Sequence, residues 1–221
     1  MRTLLSWSSG KDSAWALHVL GQRGDVEVVG LATTLNSAFD RVAMHGVSRR
    51  LLNAQQEATG LPLHVLKIPH PCPNDSYEEI MGEFLARQRR EGIEAMAFGD
   101  LFLEDIRRYR EARLAGTQIT PLFPLWGIDT GRLARRMIEG GLDARIVCLD
   151  PRRLPESFAG RRFDASLLAD LPAGVDPCGE NGEFHTFACG GPMFSAPILV
   201  APGRRVTRDG FLFCDLLACA K

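Results

Sequence analysis

At 221 residues, 45% apolar and 24% charged, the chain has room for one large domain or two modest ones and an ordinary globular makeup. Its formal net charge of −1 excludes a global field that would draw it to nucleic acid or to a membrane surface. No apolar run approaches a membrane span and the N-terminus lacks a signal-peptide core, so a cytoplasmic location is expected.

The segment from Met1 to Trp7 is short and mostly apolar, and reads as a buried first strand. Ala14 to Leu20 is rich in helix formers and is closed by Gly21 and Gly24. Between them lies Ser8-Ser9-Gly10-Lys11-Asp12-Ser13, a polar turn at a helix N-terminus. Such a turn points backbone N–H groups and the positive helix end at one place, where an anion fits. Gly10 permits close backbone approach, Lys11 adds a point charge, and Ser8, Ser9 and Ser13 add hydroxyls. A Walker-type loop is excluded, because Asp12 follows Lys11 and no glycine stands five residues before Gly10.

Val26 to Thr34 is a continuous β-branched run, expected to be a strand covered on both faces, and Leu35-Asn36-Ser37 is the loop beyond it. A helix is expected from Val47 to Thr59, with Leu51, Leu52 and Ala58 on one side and Gly60 and Pro62 as its stop. Leu63 to Ile68 reads as the third strand, Tyr77 to Glu91 as an amphipathic helix, and Ile93 to Gly99 as the fourth strand, opening into Asp100. Leu103 to Leu114 follows as a helix, and Gln118 to Phe123 as a fifth strand near an edge because of Pro121. Its Arg107-Arg108-Tyr109-Arg110 run is interleaved with Glu104, Asp105 and Glu111, which favours a solvated helix face.

This alternation specifies an α/β fold, a parallel doubly wound sheet with helices on both faces. Ligands bind such sheets beyond the carboxyl ends of the strands. The loops carrying Ser8–Ser13, Asn36, His45 and Gly99-Asp100 all follow strands, so they should converge on one crevice.

After Trp126 the pattern changes. A helix from Asp129 to Glu139, with Asp129 or Thr130 as its candidate N-cap, leads to a strand from Ala144 to Leu149 and a short helix near Asp164–Asp170. Short β-like runs follow at Glu183–Phe187, Ile198–Val200 and Phe211–Phe213, giving a smaller C-terminal α+β domain. The expected division is 1–125 and 126–221, with a hinge near Leu122–Thr130. The six cysteines show no C-x-x-C pair and no zinc spacing with the five histidines, so reduced, mostly buried thiols are expected.

The densest polar cluster of this half runs from Asp176 to Thr186, with Glu180 and Asn181 at a loop tip. Glu183 and His185 fall on one face by period two. They read either as a carboxylate–imidazole pair acting on one small group or as a charged hairpin edge exposed to water.

Ser8–Ser13 resembles the S-G-G-K-D-S loop of the ATP pyrophosphatases, with Ser9 at the first glycine. Ser9 serves there if its φ stays negative or if left-handed strain is tolerated. Together with Gly99-Asp100-Leu-Phe-Leu-Glu104-Asp105-Ile-Arg-Arg-Tyr-Arg110 and Gly179-Glu-Asn-Gly-Glu-Phe-His-Thr186, the chain resembles the diphthine–ammonia ligase family of these enzymes. Pro124-Leu-Trp126 and Met44-His45-Gly46 support the resemblance. It implies an adenine nucleotide alpha hydrolase-like (Rossmann-like) nucleotide domain and a C-terminal substrate domain. The implied activity is ATP-dependent amidation of a carboxylate by ammonia, releasing AMP and pyrophosphate. In eukaryotic and archaeal members the acceptor is diphthine, a modified histidine on translation elongation factor 2. On this reading Ser8, Ser9, Gly10, Lys11, Asp12 and Ser13 hold the phosphates, with Lys11 at the β- and γ-phosphates and Asp12 on Mg²⁺. Thr34, Asn36 and His45 are candidates for the adenosine side, and Gly99, Asp100 and Glu104 for ribose, metal or helix capping. Glu180, Asn181, Glu183, His185 and Thr186 are assigned to the acceptor, with Glu183 and His185 as acid–base candidates beside Lys11 and Asp12. The alternatives are a thiolation-type tRNA-modifying enzyme, which would want a reactive cysteine pair and a basic surface, and a non-catalytic ATP sensor. A homodimer stays open.

Overall fold

In the first strand, β1 (Arg2–Ser6), Leu4 and Leu5 are both buried but belong to different apolar clusters, one on each face of the sheet. The computed structural model describes residues 1–38, 41–42 and 46–219; His45, a candidate on the adenosine side, lies outside the described residues. β1 leads into α1 (Lys11–Gly21), then β2 (Glu27–Asn36), the two-residue β3 (Arg41–Val42), α2 (Arg49–Thr59) and β4 (Leu63–Ile68). There follow α3 (Asn74–Arg90), β5 (Ala95–Ala97), α4 (Glu104–Leu114) and β6 (Thr120–Leu122).

β1 is central, paired in parallel with β2 on one side and β5 on the other. β4 joins β2 and β6 joins β5, both in parallel. The sheet is thus doubly wound as the alternation predicts, except that β3 pairs antiparallel with Leu35 and Asn36 at the end of β2. A two-residue strand carries too little pattern to be read from sequence. Leu5, Leu31 and Ala97 pack with Trp15 and Leu20 of α1 and Leu51 and Leu52 of α2. Leu4, Ala32 and Met96 pack with Phe84 and Leu85 of α3 and Leu114 of α4. Helices therefore cover both faces, and the winding reverses between β1 and β5, the switch point where loops splay apart. Pro121 sits in β6, the edge strand it was expected to mark.

The second half opens with α5 (Thr130–Glu139), capped by Asp129, whose side chain accepts the Arg132 N–H at 2.8 Å. Then come β7 (Asp143–Leu149), α6 (Ala165–Asp170), β8 (Phe184–Gly190), β9 (Val200–Arg208) and β10 (Phe211–Ala218). The four strands form an antiparallel sheet in the order β8-β7-β10-β9. The expected run at Ile198–Val200 is replaced by β9, which begins only at Val200. Pro202, Gly203 and three arginines hide it, a composition suited to an edge strand whose outer side meets water. One apolar cluster runs through both halves, joining Trp7 and Leu35 to Leu133, Ile146 and Phe187.

No helix among the described residues is long and apolar enough to cross a membrane. Four of the six cysteines, Cys148, Cys178, Cys189 and Cys214, are buried.

Candidate active site

The Ser8–Ser13 turn lies at the carboxyl end of β1, and its geometry is fixed by polar contacts from two directions. Ser9 stands at φ 71°, the left-handed region, so the strained of its two expected conformations is the one adopted. Its carbonyl accepts the Ala188 N–H at 2.9 Å and the Gln55 side-chain amide at 3.0 Å. Gln55 is fully buried; its amide also donates to the Ala188 carbonyl at 2.8 Å, and its carbonyl oxygen accepts the Trp7 indole N–H at 2.9 Å. Strain at Ser9 persists because its surroundings over-determine it. Within the turn, Ser8 and Ser13 hydroxyls meet at 3.1 Å, and Ser13 Oγ donates to the Gly10 carbonyl at 3.1 Å. Gly10 is the extended N-cap of α1, with no side-chain cap on the helix end.

Lys11 is expected to turn its ammonium to an incoming phosphate. Instead it is 2% exposed, and Nζ donates to Asp12 at 2.8 Å and to the Cys178 carbonyl. The ammonium also lies 5.6 Å from the Phe163 ring centre and 5.4 Å from that of Phe184. The Lys11 backbone N–H donates to Thr186 Oγ1 at 3.0 Å. Burial works against the Lys11 charge, but the neighbouring Asp12 and Glu180 outweigh it and hold the ammonium protonated. Burial pushes the Asp12 carboxyl up, with Lys11 pulling it back, and Asp12 Oδ1 is buried without a hydrogen-bond partner among the described residues.

The turn after β5 closes over this loop. A Cβ on Gly99 would stand 3.0 Å from the Asp12 carbonyl carbon and 3.0 Å from the Ser13 nitrogen, so any larger residue would push that backbone away by a few tenths of an ångström. Next to it the Leu101 N–H donates to Glu180 Oε1 at 2.8 Å, bringing the C-terminal cluster to the switch point. Asp176 shapes that cluster: its Oδ2 accepts the N–H groups of Cys178 at 3.1 Å and Glu180 at 2.9 Å. Burial pushes Glu180 up to about 7; the Leu101 N–H opposes the shift and the Asp12 charge adds to it. Asp100, also raised by burial, faces Arg110 at 3.5 Å.

Other expected residues are placed differently. Glu104 is exposed on the first turn of α4, outside the constellation. The expected solvated face of α4 is in part a stacking face: Arg107 lies 5.0 Å from Phe123 and 4.8 Å from Trp126, and Arg110 lies 5.0 Å from Phe98. Glu183 is fully buried, which rules out the exposed hairpin edge. Its Oε1 accepts the Asp176 N–H and the Asn181 amide, both at 3.2 Å, with Arg153 at 3.5 Å. β8 begins only at Phe184, and His185 lines a cleft of about 630 Å³ with Asn36, Ser48 and His70. Glu183 is thus held by Asp176, Asn181 and Arg153, while His185 reaches the cleft. Thr34 and Asn36 end β2; Asn36 Oδ1 accepts the Ala38 N–H at 2.9 Å.

Gln55, Cys178 and Arg153 were not singled out from sequence. Gln55 carried a readable sign, since it falls on the same helical stripe as Leu51, Leu52 and Ala58. A carbonyl such as that of Cys178 leaves no sequence sign at all. Among the described residues no three His, Cys, Asp or Glu side chains form a metal-holding group.

Known proteins match along nearly the whole chain. The family description of a diphthamide synthase N-terminal domain matches residues 1–114, and that of a diphthamide synthase C-terminal domain matches residues 129–216. The chain is 26% identical over 239 aligned positions to the diphthine–ammonia ligase of Homo sapiens, covering 98% of this chain and 89% of that protein. It is 27% identical over 223 positions to the diphthine–ammonia ligase of Danio rerio, covering 90% and 86%. The corresponding Bos taurus protein is 25% identical over 239 positions.

Proposed function

The chain belongs to the diphthamide synthase family, and from that premise we propose that it is an ATP-dependent ligase that amidates a carboxylate with ammonia. One observation carries the reading. The Ser8–Ser13 loop, the Gly99–Leu101 turn and Glu180 from the second half meet at the carboxyl edge between β1 and β5. That is where a doubly wound sheet binds its ligand. Residues 1–125 are the nucleotide part and 126–221 the acceptor part.

ATP lays its phosphates at the turn and the N-terminus of α1, with adenosine toward Thr34 and Asn36. An acceptor carboxylate oxygen attacks the α-phosphorus and pyrophosphate leaves; ammonia then attacks the acyl carbon and AMP leaves. The protein contributes positioning and fixed charge rather than covalent catalysis. Glu180, held by the Leu101 N–H and poised near neutrality, takes the proton as ammonium becomes ammonia. Buried Lys11 supplies a fixed positive charge behind the loop and ties it to the second half. Mg²⁺ fits this donor set: Asp12 has a buried oxygen without a partner among the described residues, Asp100 is nearby, and magnesium takes few protein carboxylates beside phosphate oxygens. When bound it would offset phosphate charge. The acceptor is diphthine on translation elongation factor 2 or a related carboxylate.

The test is incubation with ATP labelled at the α-phosphate, ammonium and candidate carboxylates. Labelled AMP should form only when both co-substrates are present. Labelled ADP as the product, or bound ATP with no turnover on any acceptor, would sink the proposal.

A further inference from the structure

The cleft beside His185 is a second feature of the molecule; of the described residues given above to the nucleotide, only Asn36 lines it. It measures about 630 Å³, within the range of small-molecule pockets. One wall comes from the end of β2 and the start of α2, the other from β7 to β10. Its apolar surface includes Phe211 and Phe213, while among the described residues its charged lining holds four arginines, Arg41, Arg50, Arg204 and Arg208, against two aspartates, Asp209 and Asp215. Asp215 is already paired with Arg41 at 2.6 Å. Arg50 and Arg204 make no ion pair with any of the described residues. In a chain of net charge −1 the described lining thus carries a local positive excess around an apolar floor.

The start of α2 adds to it. Ser48, Arg50 and Leu51 all line the cleft, so the positive end of an 11-residue helix faces it. The first turn holds no acidic residue, and the Ser48 side chain does not cap the helix. Arginines at a helix N-terminus are unfavourable for the helix alone, because like signs meet. An anion in the cleft would reverse that sign.

We infer that this cleft is the acceptor pocket and takes an oxyanion carried on an apolar or aromatic body, with Arg50, Arg204 and the start of α2 holding the anion. The inference rests on the ligase reading for the word acceptor; the anion preference rests on the cleft alone. The cleft and the nucleotide loop share β8 as a common wall, since His185 lines the cleft and the adjacent Thr186 receives the Lys11 N–H.

The test uses the full chain and anilinonaphthalene sulfonate, an anionic aromatic probe whose fluorescence rises on binding. The wild type should bind it, 1-naphthoate should displace it, and the uncharged 1-naphthamide should need at least tenfold more. Arg50→Glu with Arg204→Glu should weaken the probe at least tenfold, while a non-hydrolysable ATP analogue binds as before. Arg50→Glu should also leave the thermal midpoint unchanged or higher, because it places an acid on the first turn of α2. Equal displacement by the amide, or an unaffected probe in the double variant, overturns the anion preference. Displacement of the probe by the ATP analogue makes the cleft a nucleotide site and overturns the acceptor assignment. An ATP analogue that binds nowhere defeats the proposed ligase and leaves the cleft result standing.

Discussion

Replacing Gln55 with leucine keeps the size of the side chain and its helix preference while removing the amide that ties three parts of the structure together. The Trp7 indole N–H and the Ala188 carbonyl would each lose the partner described above. The Ser9 carbonyl would keep the Ala188 N–H at 2.9 Å. Two buried polar groups left unsatisfied cost about 1–3 kcal/mol each, and the apolar leucine returns about 1 kcal/mol. The expected loss is therefore about 1–5 kcal/mol, or a fall in Tm of about 6–12 °C for the middle of that range at this chain length. Urea and thermal unfolding followed by circular dichroism measure it, with Gln55→Glu as comparison. Glutamate can still accept from Trp7 but cannot donate to either carbonyl, so it should be no better than leucine. A Gln55→Leu protein within 1 kcal/mol of wild type would show that Gln55 does not hold the loop to β8.

Ser9→Gly should stabilise the protein by about 1 kcal/mol, because it removes a left-handed strain of about 1–2 kcal/mol and a buried hydroxyl without a partner among the described residues; a lower midpoint in thermal unfolding would refute the strain argument. For Glu180 the folded protein holds its proton up to about 7 against an ordinary 4.5, so stability is unaffected below 4.5, falls between the two and levels off above 7. Glu180→Gln keeps an acceptor for the Leu101 N–H and should remove that decline, up to about 3 kcal/mol at pH 8; parallel pH profiles of unfolding for the two proteins would show that Glu180 is not buried as a charge.

Much of the first half was legible because its signals are local. The run from Leu63 to Ile68 is a strand with the expected ends, since a β-branched apolar run between Pro62 and a proline loop admits little else. Asp129 caps its helix as its position before the apolar period suggests. Glu183 stays open between two readings in the sequence because its short-range pattern is that of a hairpin, while its burial is decided by Arg153 and Asp176, distant or around a turn. Lys11 fails for the same reason: the motif gives a cation beside a phosphate turn, but Cys178 and two phenylalanine rings from the second half decide where it points. The α4 arginines look solvated because the aromatic partners lie just beyond β5 and beyond β6, not on the helix.

The outer edge of β8 finishes the Ser8–Ser13 loop, and this bears on how such chains can be cut and recombined. Ser9 is closed by Ala188, the Lys11 N–H by Thr186, and its ammonium by the Cys178 carbonyl. A fragment ending near residue 125 would present water with the Lys11 ammonium and a strained serine, in the loop proposed to hold ATP. Chimeras that join one relative's first half to another's second half carry their mismatch in that loop, however neat the splice. Segments 8–13, 55 and 178–188 are one unit of structure, scattered along the sequence but joined in space.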